Sequence, residues 1–181
     1  KTQSALLEAM QEKQITVMGK TYIMDEPFIV LATQNPIEHE GTYPLPEAQM
    51  DRFMLMVDIE YPGFEDEVNI VKNKSEEKLD DIKVLFSKKD ILNFQRGADS
   101  VKIADTVVKW VVKIVQASRP DNPSKKYDFL KYIKYGAGPR ASKFIVDAAK
   151  ANAFINDEKE VLKEHIEKII YPVLQHRIFL N

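Results

Sequence analysis

The hydrophobic pattern of the 181-residue chain changes its period at Pro62-Gly63. That change restricts the fold more than any other feature of the sequence. Before it, apolar residues alternate with polar ones or form short continuous runs, as in strands; after it, they recur at helical spacing. The sequence therefore predicts an α/β unit over residues 1–61 and a mainly helical domain over residues 62–181.

The first unit contains a helix, a hairpin and two buried strands in the pattern of its residues. Residues 2–12 have a helical apolar face, and 14–25 alternate around Gly19 as a β-hairpin does. The runs at 28–33 and 54–59 are typical of core strands, since short continuous apolar runs are buried on both faces. A short helix over 46–52 connects them, with Pro46 in its first turn.

The second unit is predicted to consist of amphipathic helices. Ser87 is a suitable cap for a helix that ends near Gly97. Residues 105–118 are apolar nearly all round, which predicts a largely buried helix. Other helices are expected over 64–74, from Pro139 onward, and over 159–180 with an interruption at Pro172.

Composition excludes several classes of protein. The chain is 44% hydrophobic and 30% charged, with a formal net charge of −2 and a pI near 6.0, which argues against a general polyanion binder. It has no cysteine, so disulfides and thiolate metal sites are excluded. No apolar run approaches membrane-spanning length. We expect a cytoplasmic protein.

Two short stretches imitate nucleotide-binding motifs. Gly19-Lys20-Thr21 resembles the end of a P-loop, but Gln14 stands where the first glycine would be, and a strand pattern follows instead of a helix. Asp25-Glu26 resembles a Mg²⁺-binding acidic pair but lies too close to that turn. The pattern favours a hairpin turn at the first and a solvated turn at the second.

Three polar residues lie at the predicted ends of strands or helices, and each of them has two possible interpretations. Asn35 either ends a strand or presents an amide at the mouth of a loop. Arg52 either complements a helix dipole or is a functional cation, and a salt bridge with Asp51 would steady it. Arg140 lies in the first turn of a helix, a poor place for a cation unless an anion binds there.

Five blocks resemble the MoxR branch of the AAA+ ATPases, and together the resemblance spans essentially the whole chain. The first three are highly specific, whereas residues 64–125 match mainly by helical pattern. The blocks are KTQSALLEAMQE at 1–12, LATQNP at 31–36, GTYPLPEAQMDRF at 41–53, GPRA at 138–141 and YPVLQHR at 171–177.

The resemblance implies a fold and roles for the three residues. It implies part of an AAA+ P-loop-type core over 1–61, with the hairpin as an insertion, and a helical lid over 62–181. Asn35 resembles the first sensor, which helps to position the attacking water, and Arg52 resembles an arginine finger. Arg140 resembles the second sensor and, with Pro139 and Asn35, would bind ATP.

The hairpin resembles the insertion found before the first-sensor strand in this family. Met18 and Tyr22 near its tip would contact a client protein or a ring neighbour. Packing on a sheet face is an equally good interpretation of both side chains.

The P-loop and acidic Mg²⁺ pair of this family are absent from the 181 residues. In the family they precede the position of Lys1, so the resemblance implies the C-terminal part of an ATPase whose Mg²⁺ ligands lie outside this chain. The fragment alone is expected to be inactive. The complete protein is expected to hydrolyse ATP in a ring of its own copies, a hexamer, and to remodel protein clients, without membrane or nucleic-acid binding. A nucleic-acid motor or loader and a nucleotide-free assembly scaffold are the alternatives.

Overall fold

The computed structural model describes residues 2–34, 45–72, 83–121 and 127–181. Its N-terminal part begins with helix α1 (Thr2–Glu12), followed by the antiparallel strands β1 (Gln14–Val17) and β2 (Lys20–Ile23). The pairing runs from Gln14 opposite Ile23 to Val17 opposite Lys20. The predicted helix and hairpin are confirmed.

The tip of the hairpin explains why Gly19-Lys20-Thr21 is a turn. Gly19 has a φ of 77° and Met18 a φ of 50°, the left-handed conformations that a tight hairpin turn requires. No helix opens after Thr21, so backbone amides are not aligned for a phosphate. Met18 is fully exposed, so the sheet-face interpretation of this side chain does not hold among the described residues.

The two predicted core strands are not formed within the described residues. Residues 28–33 and 54–59 are extended, but they belong to no β-ladder among them. Leu31 is 86% exposed and Ile59 is 91% exposed. A strand is stable only when its N–H and C=O groups pair with neighbouring strands, and the described residues supply none for these segments.

Short helices connect the two parts of the chain. Helix α2 (Glu47–Met50) has Pro46 as its N-cap, one position before the first turn where it was predicted. Helix α3 (Phe64–Lys72) has acidic residues in its first turn and Lys72 in its last, as the helix dipole favours.

The lid consists of four longer helices around a common apolar core. Helix α6 (Pro139–Ile155) lies at its centre and packs against α4 (Lys88–Ser100), α5 (Asp105–Ala117) and α7 (Lys163–Leu174). The largest fully buried side chains of the described residues belong to this core: Ile145, Ile166, Val111, Val115, Val161 and Val173.

Local sequence signals account for the ends of these helices. Ser87 and Asp90 form a capping box at the start of α4, in which the Ser87 hydroxyl accepts from the Asp90 amide at 3.3 Å. The hydrogen bonds from Ser87 hold the pKa of the Asp90 carboxyl below its usual value. Pro139 occupies the first turn of α6, as predicted.

Two expectations for the lid are wrong. Helix α5 buries only the face that carries Val111 and Val115, while Val112 is 36% exposed, because it has neighbours on one side only. The last stretch is not helical to residue 180: α7 ends at Leu174, and Phe179–Leu180 form β4, which pairs with β3 (Ile133–Tyr135).

Candidate active site

The turn that carries Arg52 continues directly from helix α2. The Asp51 amide donates to the Glu47 carbonyl at 3.2 Å, and the Arg52 amide donates to the Gln49 carbonyl at 3.2 Å. The Phe53 amide then donates to the Met50 carbonyl at 3.1 Å. These local hydrogen bonds fix the backbone of residues 51–53, from which the side chains of Asp51 and Arg52 extend.

Arg140 reaches this turn from the lid. It follows Pro139 in the first turn of α6, whose N-cap is Gly138. Its Nη1 donates to Oδ2 of Asp51 at 2.5 Å, and its side chain is 39% exposed. A cleft of about 130 Å³ beside this pair is lined in part by Asp51, Glu47 and Gly138. Arg140 is therefore accessible, but its anionic partner in this conformation is a carboxylate of its own chain.

Arg177 lies on the other side of Asp51 and is almost completely buried, with a side chain that is 1% exposed. Its Nε donates to Oδ1 of Asp51 at 2.9 Å, and its Nη2 donates to the Asp51 carbonyl at 2.9 Å and to the Phe53 carbonyl. Its Nη1 donates to the carbonyl of Val173 and, at 3.4 Å, to that of Met54. The guanidinium thus binds both ends of the turn that contains Arg52.

Residues 172–176, which precede Arg177, bind the backbone of residues 53–56. The Gln175 side chain donates to the Met56 carbonyl at 2.6 Å, and His176 Nε2 lies 3.1 Å from the Phe53 carbonyl. The Met56 amide donates to the Pro172 carbonyl at 2.9 Å. We call these contacts between residues 51–56 and 172–177 the junction.

Burial lowers the pKa of two junction residues. Desolvation and the adjacent Arg177 charge lower the pKa of His176, against smaller opposing effects of the Phe53 carbonyl and Asp51. His176 is therefore neutral near pH 7, and its Nε2–H donates to Phe53, since a carbonyl oxygen can only accept. Desolvation lowers the pKa of Arg177 as well, but Asp51 opposes this and the guanidinium stays charged.

Arg52 is not neutralised by the residues around it. Its Nε and Nη1 are buried without a hydrogen-bond partner, and in the described part of the chain it forms no salt bridge. The expected bond with Asp51 is wrong, because Arg140 and Arg177 occupy the two carboxylate oxygens of Asp51. Buried donors without acceptors are costly, so within the described part of the chain Arg52 lacks the partner that a purely structural arginine would have.

The structure brings together two of the three residues singled out in the sequence. Arg140 and the Arg52 turn meet at Asp51, whereas Asn35 lies outside the described residues. Arg177 received no role in the sequence analysis, although it lies in one of the five resembling blocks. The available signal was the polar run Gln175-His176-Arg177 within an otherwise apolar stretch over residues 169–180.

Comparison with known proteins places this geometry in a family. Residues 1–55 match the model of the ATPase family associated with various cellular activities (AAA), and residues 130–181 match the AAA lid domain. The Chaperone MoxR1 of Mycobacterium tuberculosis is 39% identical over 181 residues, which are 100% of this chain and 48% of that protein. The chain belongs to the MoxR-type AAA+ ATPases. The two matched regions contain residues 51–55 and 172–177, which are all of the junction except Met56.

Two other proteins match nearly the whole chain. The protein YeaC of Bacillus subtilis is 37% identical over all of this chain and 54% of its own length. A crystal structure of a candidate ATPase from Cytophaga hutchinsonii matches 99% of the chain and 55% of that structure, with 42% identity and a TM-score of 0.85. The chain thus has a partial AAA+ core and a lid, and it spans about half the length of these relatives.

The described residues contain no group of His, Asp or Glu side chains arranged to hold a metal ion. No helix among them has both the length and the apolar character to cross a bilayer.

Proposed function

We propose that this chain is part of a MoxR-type AAA+ ATPase that hydrolyses ATP at the interfaces of a ring of its own copies. The relatives support this: one is named a chaperone and another a candidate ATPase. By the same argument we propose protein clients and a cytoplasmic location, with the core ending and the lid beginning at residues 61–63. The Mg²⁺ ligands and the P-loop would come from residues outside this chain.

The observation that carries the proposal is the position of two candidate phosphate-binding arginines on one junction. Arg140 enters it from the first turn of α6, and Arg52 enters it from the turn after α2. In phosphoryl transfer, protein cations stabilise charge that develops on the transferred group, and their position matters more than covalent chemistry. The junction fixes the position of both arginine backbones relative to each other.

Arg140 fits a phosphate ligand because its present partner is exchangeable. The Arg140–Asp51 bond is partly exposed, and exposed ion pairs contribute only up to about 1 kcal/mol. A charge-assisted bond to phosphate is stronger, and the positive end of the α6 dipole favours an anion at this position. Asp51 retains Arg177 when Arg140 leaves, so the exchange strands no buried charge.

Arg52 fits an acceptor supplied by another molecule. Its buried Nε and Nη1 have none within the described chain. A phosphate of a nucleotide bound to the neighbouring subunit would provide oxygens that match the guanidinium fork. Arg52 would then contribute to catalysis in the neighbour's site and not in its own.

Substitution of Arg52 in the complete protein tests the proposal. Arg52→Ala should leave ATP affinity nearly unchanged and lower turnover by about 10³-fold or more, as for other arginines supplied in trans. Arg96→Ala is the matched control, because Arg96 is an exposed arginine on α4. Turnover that stays within a few-fold of wild type in both variants would reject an ATPase role for Arg52.

A further inference from the structure

We propose that Arg177 is a positioning residue that holds the Arg52 turn against the lid, so that Arg52 moves with Arg140 as one body. The inference rests on the proposed function, because it gives Arg177 a role in the catalytic contribution of Arg52. It concerns the subunit that supplies Arg52 and not the subunit whose ATP is hydrolysed.

Arg177 contacts the turn that carries Arg52 as well as the lid. Its bonds to the carbonyls of Asp51 and Phe53 enclose Arg52 on both sides in the sequence. Carbonyl contacts on each side of one residue restrict its backbone dihedrals and thereby fix the direction in which its Cα–Cβ bond points. Arg177 thus constrains where the Arg52 side chain leaves the backbone.

The lid in turn fixes Arg177. Its guanidinium stacks over the Phe144 ring of α6, 5.1 Å from the ring centroid, and its Nη1 binds the Val173 carbonyl in the last turn of α7. Carbonyls in the last turn of a helix lack intrahelical donors, and a cation there also complements the dipole. Arg177 therefore follows α6 and α7, which form the core of the lid.

Asp51 links the two arginines without making them compete. Its Oδ2 faces Arg140 and its Oδ1 faces Arg177. When Arg140 leaves Asp51 for a phosphate, the Arg177 contacts remain, so a lid displaced by nucleotide carries the Arg52 turn with it. The nucleotide bound to one subunit is in this way coupled to the Arg52 that the same subunit presents to its neighbour.

The sharpest variant is Arg177→Lys, which keeps the charge and loses the planar fork that reaches several acceptors at once. Its matched control is Arg119→Lys. Arg119 is a partly buried lid arginine whose Nε donates to the Ala137 carbonyl at 3.0 Å, away from residues 51–56. In the complete protein, Arg177→Lys should lower kcat by about tenfold to a hundredfold with KM for ATP nearly unchanged, since misplacement of a catalytic group by about 1 Å has costs of this size. Arg119→Lys should keep kcat within about twofold.

Hydrogen exchange of the complete protein tests the clamp, meaning the hold of Arg177 on the Arg52 turn, apart from catalysis. The Met56 amide, which donates to Pro172, should exchange faster in Arg177→Lys and not in Arg119→Lys. The Ile145 amide in the core of the lid should exchange at the wild-type rate in both variants. Unchanged exchange at Met56 would overturn the clamp whatever the kinetics show.

Mixed rings distinguish positioning of Arg52 from damage to the lid itself. Arg177→Lys subunits mixed with subunits that lack the P-loop lysine should recover activity, because the latter present an intact Arg52 to an intact site. If these mixed rings recover activity with Arg52→Ala subunits but not with Arg177→Lys subunits, the inference is overturned and the proposed function stands. No recovery with either variant would overturn both.

Discussion

At the scale of single residues, Asp51 determines how the site is arranged. A carboxylate with two arginines around it is not available to a third, so Asp51 does not pair with Arg52, and Arg52 Nε and Nη1 have no hydrogen-bond partner among the described residues. The two arginines differ in exposure: Arg177 is buried and Arg140 is not. Asp51 thus has one permanent contact and one that a ligand can replace.

Arg140 is predicted to change the response to ATP more than it changes the fold. In the complete protein, Arg140→Ala should leave the melting temperature without nucleotide nearly unchanged, since the lost ion pair is partly exposed. A charge-assisted contact is worth roughly 1.5–3 kcal/mol, so ATP affinity should fall by about tenfold to a hundredfold. The stabilisation follows RT ln(1 + [L]/Kd) and should shrink at fixed ATP. Equal ATP-induced shifts in both proteins would remove Arg140 from the phosphate site.

His176 is predicted to make the junction sensitive to acid. Its pKa is lowered in the folded chain, so below about pH 6.5 the unfolded chain binds the proton first and the free energy of unfolding falls. His176→Gln keeps a donor for the Phe53 carbonyl and cannot titrate. Between pH 7.5 and pH 5.5 the wild type should therefore lose more melting temperature than His176→Gln, since the other titrating groups are common to both. Parallel curves would contradict this assignment.

At the scale of elements, the sequence predicted those whose stabilising contacts are local. The capping box at Ser87, Pro139 at the start of α6 and the hairpin at Gly19 all depend on residues close together in the chain. Residues 28–33 and 54–59 carry the apolar pattern of core strands, but a strand also needs partner strands. The apolar pattern therefore predicts which segments are suited to burial. It does not predict whether they join a β-ladder within the described residues.

Gly136 and Gly138 precede α6, and alanine substitutions at these two positions should differ in their effect on stability. A Cβ on Gly136 would lie 2.4 Å from the Ser118 carbonyl oxygen and 2.7 Å from the Arg119 Cα, which are backbone atoms that cannot rotate away. A Cβ on Gly138 would meet nothing within 4 Å. Gly136→Ala should destabilise the chain by about 1–3 kcal/mol, a typical cost of overpacking. Gly138→Ala should cost less, at most about 1 kcal/mol, because it only replaces a glycine N-cap by the poorer alanine. Chemical denaturation of the two variants measures the difference; similar losses would show that the Gly136 contact can relax.

At the scale of the whole molecule, the junction could not be predicted from the sequence. Asp51 and Arg177 are separated by 126 positions, and no local pattern indicates that their side chains meet. Resemblance to a family supplied Arg52 and Arg140 individually. The attachment of Arg140 and Arg177 to Asp51, the residue before Arg52, became visible only with the packing of the lid against the turn. The division into units at residues 61–63 remains a prediction.

The central claim is that Arg52 serves a neighbouring subunit, and mixed rings of the complete protein test it most directly. Arg52→Ala subunits and subunits without the P-loop lysine should each be inactive as uniform rings. Together they should recover part of the wild-type ATP turnover, because some interfaces then pair an intact site with an intact Arg52. Stable mixed rings that remain as inactive as the uniform ones would contradict the account.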